Sequence, residues 1–164
     1  MPEDWGLDLA KRYLSSEGLA LFQSMPRYDQ RHALGVARTL YAQGQRDTDL
    51  LAAALLHDVG KTVAPPDSQS LGRGPKPVRL WHRVAVVLMR AFSPGLLLAL
   101  AGDGSQGWRR PFYVQEHHAD LGAELAQQIG CSSQTVFLIQ HHESSARRDD
   151  DALLSALRAA DNVN

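Results

Sequence analysis

The stretch LLAAALLHDVGK, residues 50–61, decides the fold. Seven apolar residues run without a break into an imidazole, a carboxylate and, two residues on, Gly60 and Lys61. Asp47 or Thr48 is placed to cap this segment. An apolar segment of this kind, hydrophobic all round, predicts a buried central helix reaching to Gly60. His57 and Asp58 taken alone also fit a helix that simply reaches solvent at its end. At the end of so apolar a helix, however, they would sit near the middle of the domain. A buried charge there has to be paired or bound to a metal.

Outward from this helix the chain continues to read as helices, with no series of alternating strands and no repeat. Residues 31–43, RHALGVARTLYAQ, place Leu34, Ala37, Leu40 and Tyr41 on one helical stripe, with Gly44 as a stop. The N-terminal MPEDWGLDLAKRYL alternates Leu7, Leu9 and Ala10 with charge, as a short amphipathic helix does. It has no basic segment followed by an apolar run, so no signal peptide is expected. Residues 62–77, rich in proline and glycine, predict a loop, and 102–110 a second, polar one. Between them VRLWHRVAVVLMRAF predicts a helix broken near Pro94, followed by the apolar LLLALAG. HADLGAELAQQIG predicts a helix beginning at His118 and ending at Gly130. SSQTVFLIQHH predicts another, capped by Ser132 or Ser133. DDDALLSALRAADNV predicts the last, its aspartates at the positive end of the helix dipole. The expected architecture is all-α: one domain over 1–164, with 1–30 as an N-terminal helical extension and 62–113 as a loop-helix insertion. Val84–Ala101 is interrupted by Arg90, Ser93, Pro94 and Gly95, too short on either side for the roughly 20 residues of a spanning helix. It reads as a buried helical pair, with a face for self-association or membrane contact as the alternatives.

Composition narrows the function classes. With 44% hydrophobic and 21% charged residues, 164 positions suit a single globular core. A net charge of -1 argues against a broad cationic surface for nucleic acid, and no basic stripe with interleaved aromatics is present. The lone Cys131 excludes an intrachain disulfide and a thiolate-rich zinc site, and fits a reducing cytoplasm.

The histidines carry the chemistry. They fall as His32, His57 beside Asp58, His117-His118 and His141-His142, with Asp161 near the end and His82 apart from them. A helical bundle brings such positions to one point. Imidazole and carboxylate donors suit Fe, Mn, Co, Ni or Zn. Asp58 has two oxygens and can bridge two cations. His141 and His142 point about 100° apart on a helix, so the pair supplies either two flanking ligands or one ligand and one surface imidazole. His118 is the stronger candidate of its pair, and His117 reads as a supporting or surface group. Asp161 stands beside the stripe Leu154, Leu157 and Ala160, where a C-cap carboxylate is equally natural.

His32, LLHDVGK at 55–61, HADLGAE at 118–124, IQHHE at 139–143 and LRAAD at 157–161 together resemble the HD-domain superfamily of metal-dependent phosphohydrolases, over residues about 30–162. The resemblance implies an all-helical bundle in which His32, His57, Asp58 and Asp161 hold a first metal. It further implies that His118, His141 and His142 hold a second, with Asp58 bridging. ESSARRDDD after His142 departs from the Gly-Tyr-Pro signature of cyclic-di-GMP phosphodiesterases and argues against that substrate. The activity so implied is hydrolysis of a nucleotide or other small phosphate ester by metal-activated water. Asp58 would position the ions. Lys61 would steady phosphate charge, although a lysine at a helix C-terminus also has the dipole to explain it. Arg73, Arg79, Arg109 and Arg110 are further candidates for phosphate, and Glu143 for support of a ligating histidine. Two rivals share the same donors: a di-iron oxygenase and a non-catalytic module that binds metal or nucleotide.

Overall fold

Leucine and alanine are strong helix formers, and residues 50–56 contain nothing else. In the computed structural model, which describes residues 4–62, 110–143 and 151–164, all seven are buried in one helix. The described elements in chain order are α1 (Asp4–Tyr13), α2 (Ser16–Ser24), α3 (Arg27–Ala42), α4 (Thr48–Leu56), a 3-10 turn (Val59–Thr62), α5 (Arg110–Gln128), α6 (Ser133–His141) and α7 (Ala152–Asn162). No strand occurs among the described residues.

The chain forms two compact units. One comprises Met1–Thr62 with Ala119–Asn164, the other Val63–His118. In the first unit α4 is the hub, packed on by α1, α2, α3, α6 and α7. Leu50, Leu51, Leu55 and Leu56 are fully buried, each contributing about 1.5–3 kcal/mol relative to exposure. Ala52, Ala53 and Ala54 between them present little bulk to the surrounding helices. The same core takes Phe22 from α2, Val36 and Leu40 from α3, Leu138 and Ile139 from α6, and Leu154 and Leu157 from α7. α1 is amphipathic as expected and adds Leu9 and Ala10.

Side-chain caps fix where the helices begin. Asp47 Oδ1 accepts from Leu50 N at 2.9 Å, Ser132 Oγ from Thr135 N at 3.0 Å, and Asp151 Oδ1 from Leu153 N and Leu154 N at 2.9 and 3.0 Å. Each cap is worth about 1 kcal/mol. Gly44 and Gly130, at φ of 87° and 78°, take the left-handed conformation that closes α3 and α5.

Three expected boundaries are corrected. α4 stops at Leu56, because the His57 side chain bonds back to Ala54 O and the backbone tightens into the 3-10 turn, with Lys61 N donating to Asp58 O. α5 starts at Arg110, so His118 is not its first residue but lies within it; Pro111 falls in the first turn, where its missing N–H costs nothing. α3 starts at Arg27, after Pro26. Its inward stripe is Ala33, Val36, Ala37 and Leu40, while Leu34 and Tyr41 are only partly buried. The expected loop after Thr62, the helix over VRLWHRVAVVLMRAF, the segment LLLALAG, and residues 102–109 lie outside the described residues, as does any self-association face over 84–101. Among the described residues no helix is long and apolar enough to cross a membrane.

Candidate metal centre

α4 delivers His57 and Asp58 into the interior of the first unit rather than to solvent. His57 is 1% exposed and Asp58 4%. The carbonyl of Ala54, 2.9 Å from His57 Nδ1, can only accept, so Nδ1 carries a proton. Nε2 of the neutral ring is then a lone pair, the form a metal requires.

Nε2 of His57 faces two partners brought in by other helices. His32 Nε2, from α3, is 3.3 Å away, and Asp161 Oδ1, from the end of α7, is 3.5 Å away. His32 Nε2 and Asp161 Oδ1 are themselves 2.9 Å apart. The rings of His32 and His57 meet edge to face. Three donor atoms thus form a triangle with sides of 2.9–3.5 Å. Atoms bound about 2.0–2.2 Å from one cation are spaced about 3 Å apart in tetrahedral or octahedral geometry. The triangle has the dimensions and the chemistry to take a divalent transition metal.

A second group shares His57. Asp58 and His142 offer ligand atoms that lie with those of His57 within 4.8 Å of one another. Asp58 Oδ2 is 3.7 Å from His57 Nε2, and the rings of His57 and His142 are 5.0 Å apart, edge to face. All three residues are buried. His142 Nδ1 donates to Ile139 O at 2.7 Å, which again leaves Nε2 as the available lone pair. The other oxygen of Asp58 holds Lys61 Nζ at 2.6 Å.

The electrostatics follow from this packing. Burial opposes charge on His57, yet the Asp58 carboxylate, together with Asp161, outweighs it and holds the imidazole pKa above its ordinary value. Burial likewise pushes Asp161 up, but its hydrogen bonds to His32 and His57 and their charge hold this carboxyl far below the usual range. Imidazole and carboxylate are thus each drawn toward the charged form by the other.

His32, His57, Asp58, His142 and Asp161 therefore lie in these two groups within the first unit. His141 is in neither. Its Nδ1 donates to Phe137 O at 2.9 Å and its ring stacks on Phe137 at 4.4 Å. His118 is buried on α5 as the last residue of the second unit. It stands one helical turn before Gly122. His117 is half-buried, its ring against Tyr113 on the same helix, and Glu143 is exposed. His82, Arg73, Arg79 and Arg109 lie outside the described residues, and the side chain of Arg110 likewise. Sequence reasoning passed over Arg158. Its Nε donates to His142 O at 3.2 Å and its Nη2 to His141 O at 2.8 Å. The available signal was its place three residues before Asp161, on the same side of α7.

No family model, curated protein or solved structure matches the chain.

Proposed function

We propose that this protein is a metal-dependent phosphohydrolase of the HD-domain type, acting on a nucleotide or another small phosphate ester. The observation that carries the proposal is the triangle of His32 Nε2, His57 Nε2 and Asp161 Oδ1 in an all-helical unit. Donors from α3, the end of α4 and α7 meet there, and these three belong to the first-metal set that the resemblance implies.

On this reading His32, His57, Asp58 and Asp161 hold the first ion. His118, His141 and His142 would serve a second, with Asp58 as the candidate link between the two. His57 has only Nε2 to give, since Ala54 O occupies Nδ1, so it can serve one ion. Asp58, with two oxygens, is the better link. Divalent cations in such a site supply Lewis acidity toward phosphoryl oxygens and bring the pKa of water toward neutrality. The chain's own contribution is placement. Asp58 fixes the charge balance, and Lys61, half-buried and held on Asp58, presents an ammonium to a phosphate oxygen. The buried leucines around α4 keep bulk water from the inner side of the site.

The test is elemental analysis of chelator-free protein, followed by a screen of nucleotides and phosphate esters with Mn, Fe, Co, Ni or Zn. Phosphate release that requires metal and disappears in His57→Ala is expected. Full metal loading without phosphate release from any substrate overturns the proposal. In that event, oxygen consumption by the iron-loaded protein identifies an oxygenase, and nucleotide binding without turnover a binding module.

A further inference from the structure

The last carbonyls of an α-helix have no amide partner within the helix. At the end of α6 two of them, His141 O and His142 O, accept from a single side chain on α7, the guanidinium of Arg158. An arginine edge offers two N–H groups in a rigid fork, suited to two neighbouring oxygens; a lysine offers one mobile ammonium. Both imidazoles are meanwhile tied to α6 through Nδ1, His141 to Phe137 O and His142 to Ile139 O. With Nδ1 anchored, the backbone of 141–142 determines where each Nε2 stands. Arg158 holds that backbone against α7, one turn from Asp161.

We propose that Arg158 is a positioning residue for the second metal. It sets the end of α6 so that His142 Nε2 keeps its place beside His57 and Asp58. It also ties those donors to the helix that carries Asp161, a donor of the first metal. The inference rests on the metal assignment of the phosphohydrolase reading. It differs from an ordinary helix-end arginine, which contributes only through the dipole and would serve both ions, or neither, alike.

The experiment titrates the full chain with Co(II) against a competing chelator, following the cobalt absorption spectrum, in wild type, Arg158→Gln, Arg158→Lys and Asp151→Ala. Asp151→Ala weakens α7 from its other end by removing its cap and reports what mere loss of helix stability does. In both Arg158 variants the more weakly held cobalt is expected to lose about 10–100-fold in affinity, the range for removing the outer support of a ligand, with the tighter ion retained. Asp151→Ala is expected to lower the thermal midpoint and leave both affinities unchanged. Should Arg158→Gln fail to fold, Arg158→Lys, which keeps the charge and much of the stem, decides alone. Unchanged affinity for the weaker ion in the Arg158 variants, while His142→Ala loses it, overturns the inference and leaves the metal assignment standing. Loss of both ions together, in step with thermal stability, also overturns it. A wild type that takes up only one cobalt removes the second metal, and the inference falls with that part of the metal assignment.

Discussion

Asp161 Oδ1 and His32 Nε2 lie 2.9 Å apart although 129 positions separate them in the chain. The meeting is imposed by the packing of α3 against α7. Ala33, Val36 and Ala37 on one side and Leu154, Leu157 and Ala160 on the other are buried in the same core, and His32 and Asp161 are the residues next to the outermost members of each set. Asn164 fastens the same pair of helices, donating to Thr39 Oγ1 at 2.9 Å and Ala160 O at 2.7 Å.

Asp161→Asn keeps the shape of this contact and removes the charge. A direct donor matters at least as much as an outer partner, whose loss typically costs 10–100-fold. Metal affinity, measured by competition with a chelator, is expected to fall at least about tenfold, and metal-dependent phosphate release to disappear. A folded Asp161→Asn protein with wild-type affinity and turnover would remove Asp161 from the site.

Lys61 and Asp58 form a nearly buried ion pair at 2.6 Å. Breaking such a pair leaves a carboxylate with less compensation. A fully buried case costs about 3–5 kcal/mol, and the partial exposure of Lys61 reduces that to about 1–3 kcal/mol. Lys61→Ala is expected to lose this much stability in chelator-treated protein and to recover most of it on metal addition, because a cation then compensates Asp58. Turnover is expected to fall while metal content stays near wild type. Denaturant melts with and without metal check the first part. An equal stability loss in both would show that no cation reaches Asp58.

The two perturbed groups set a pH dependence for the chelator-treated protein. The pKa of His57 is raised from 6.5, so its contribution is complete below that value and is lost as pH rises through the folded pKa. The pKa of Asp161 is lowered from 3.8, so its contribution is present above that value and is lost as pH falls toward the depressed one. Without metal these two groups therefore favour the interval between 3.8 and 6.5. Metal binding needs the imidazoles neutral and so improves with pH. The rise in thermal midpoint produced by metal is expected to grow from pH 5 to pH 8. A rise that is constant or shrinks over this range would mean that the cation displaces no proton from the cluster.

Much of this architecture is written locally. The run from Leu50 to Leu56, the caps at Asp47, Ser132 and Asp151, and the glycines at 44 and 130 are short-range signals, and each operates as its chemistry predicts. The convergence of the histidine clusters was legible from a helical bundle, but the place of Asp161 among them rested on the ordered resemblance, since spacing alone made a C-cap equally natural. Other features depend on tertiary contacts that no periodicity encodes. Of the adjacent His141 and His142, only His142 lies in one of the two donor groups, while the ring of His141 stacks on Phe137. His57, rather than Asp58, is the residue common to the two donor groups, and one Asp58 oxygen is held by Lys61. The start of α5 was missed because PFYVQE before His117 has no clear apolar period, and the proline in it reads as a break unless it stands in a first turn.

Gly122 offers the sharpest test of how the site is built. A glycine inside a helix costs about 1 kcal/mol relative to alanine, so its presence in α5 needs a compensating reason. The reason is close approach. A Cβ at this position would lie 3.3 Å from Gly60 N, 3.3 Å from Ile139 Cγ2 and 3.6 Å from His57 O. Two of those atoms belong to the backbone around Asp58, and the third is on α6, three residues before His142. Gly60 N and His57 O sit in the tight turn that follows α4 and have little room to yield. Ile139 can shift only by moving within the core. Gly122→Ala therefore gains about 1 kcal/mol of helix propensity and loses about 1–3 kcal/mol to overpacking. The net change in stability is expected to be small, at most about 2 kcal/mol of loss. The displacement, a few tenths of an ångström, is delivered to the turn that aims His57 and Asp58; a full shift of about 1 Å lowers catalysis about a hundredfold, so a loss of roughly a few-fold is expected here. Gly122→Ala is thus expected to lose some metal-dependent turnover with little change in stability, and Gly122→Val, larger and β-branched, to lose both. Thermal melts and phosphate-release rates on the same preparations separate the two quantities. If Gly122→Ala is more stable than wild type and equally active, the turn yields to a methyl group and the close approach of α5 does not govern the geometry of the site.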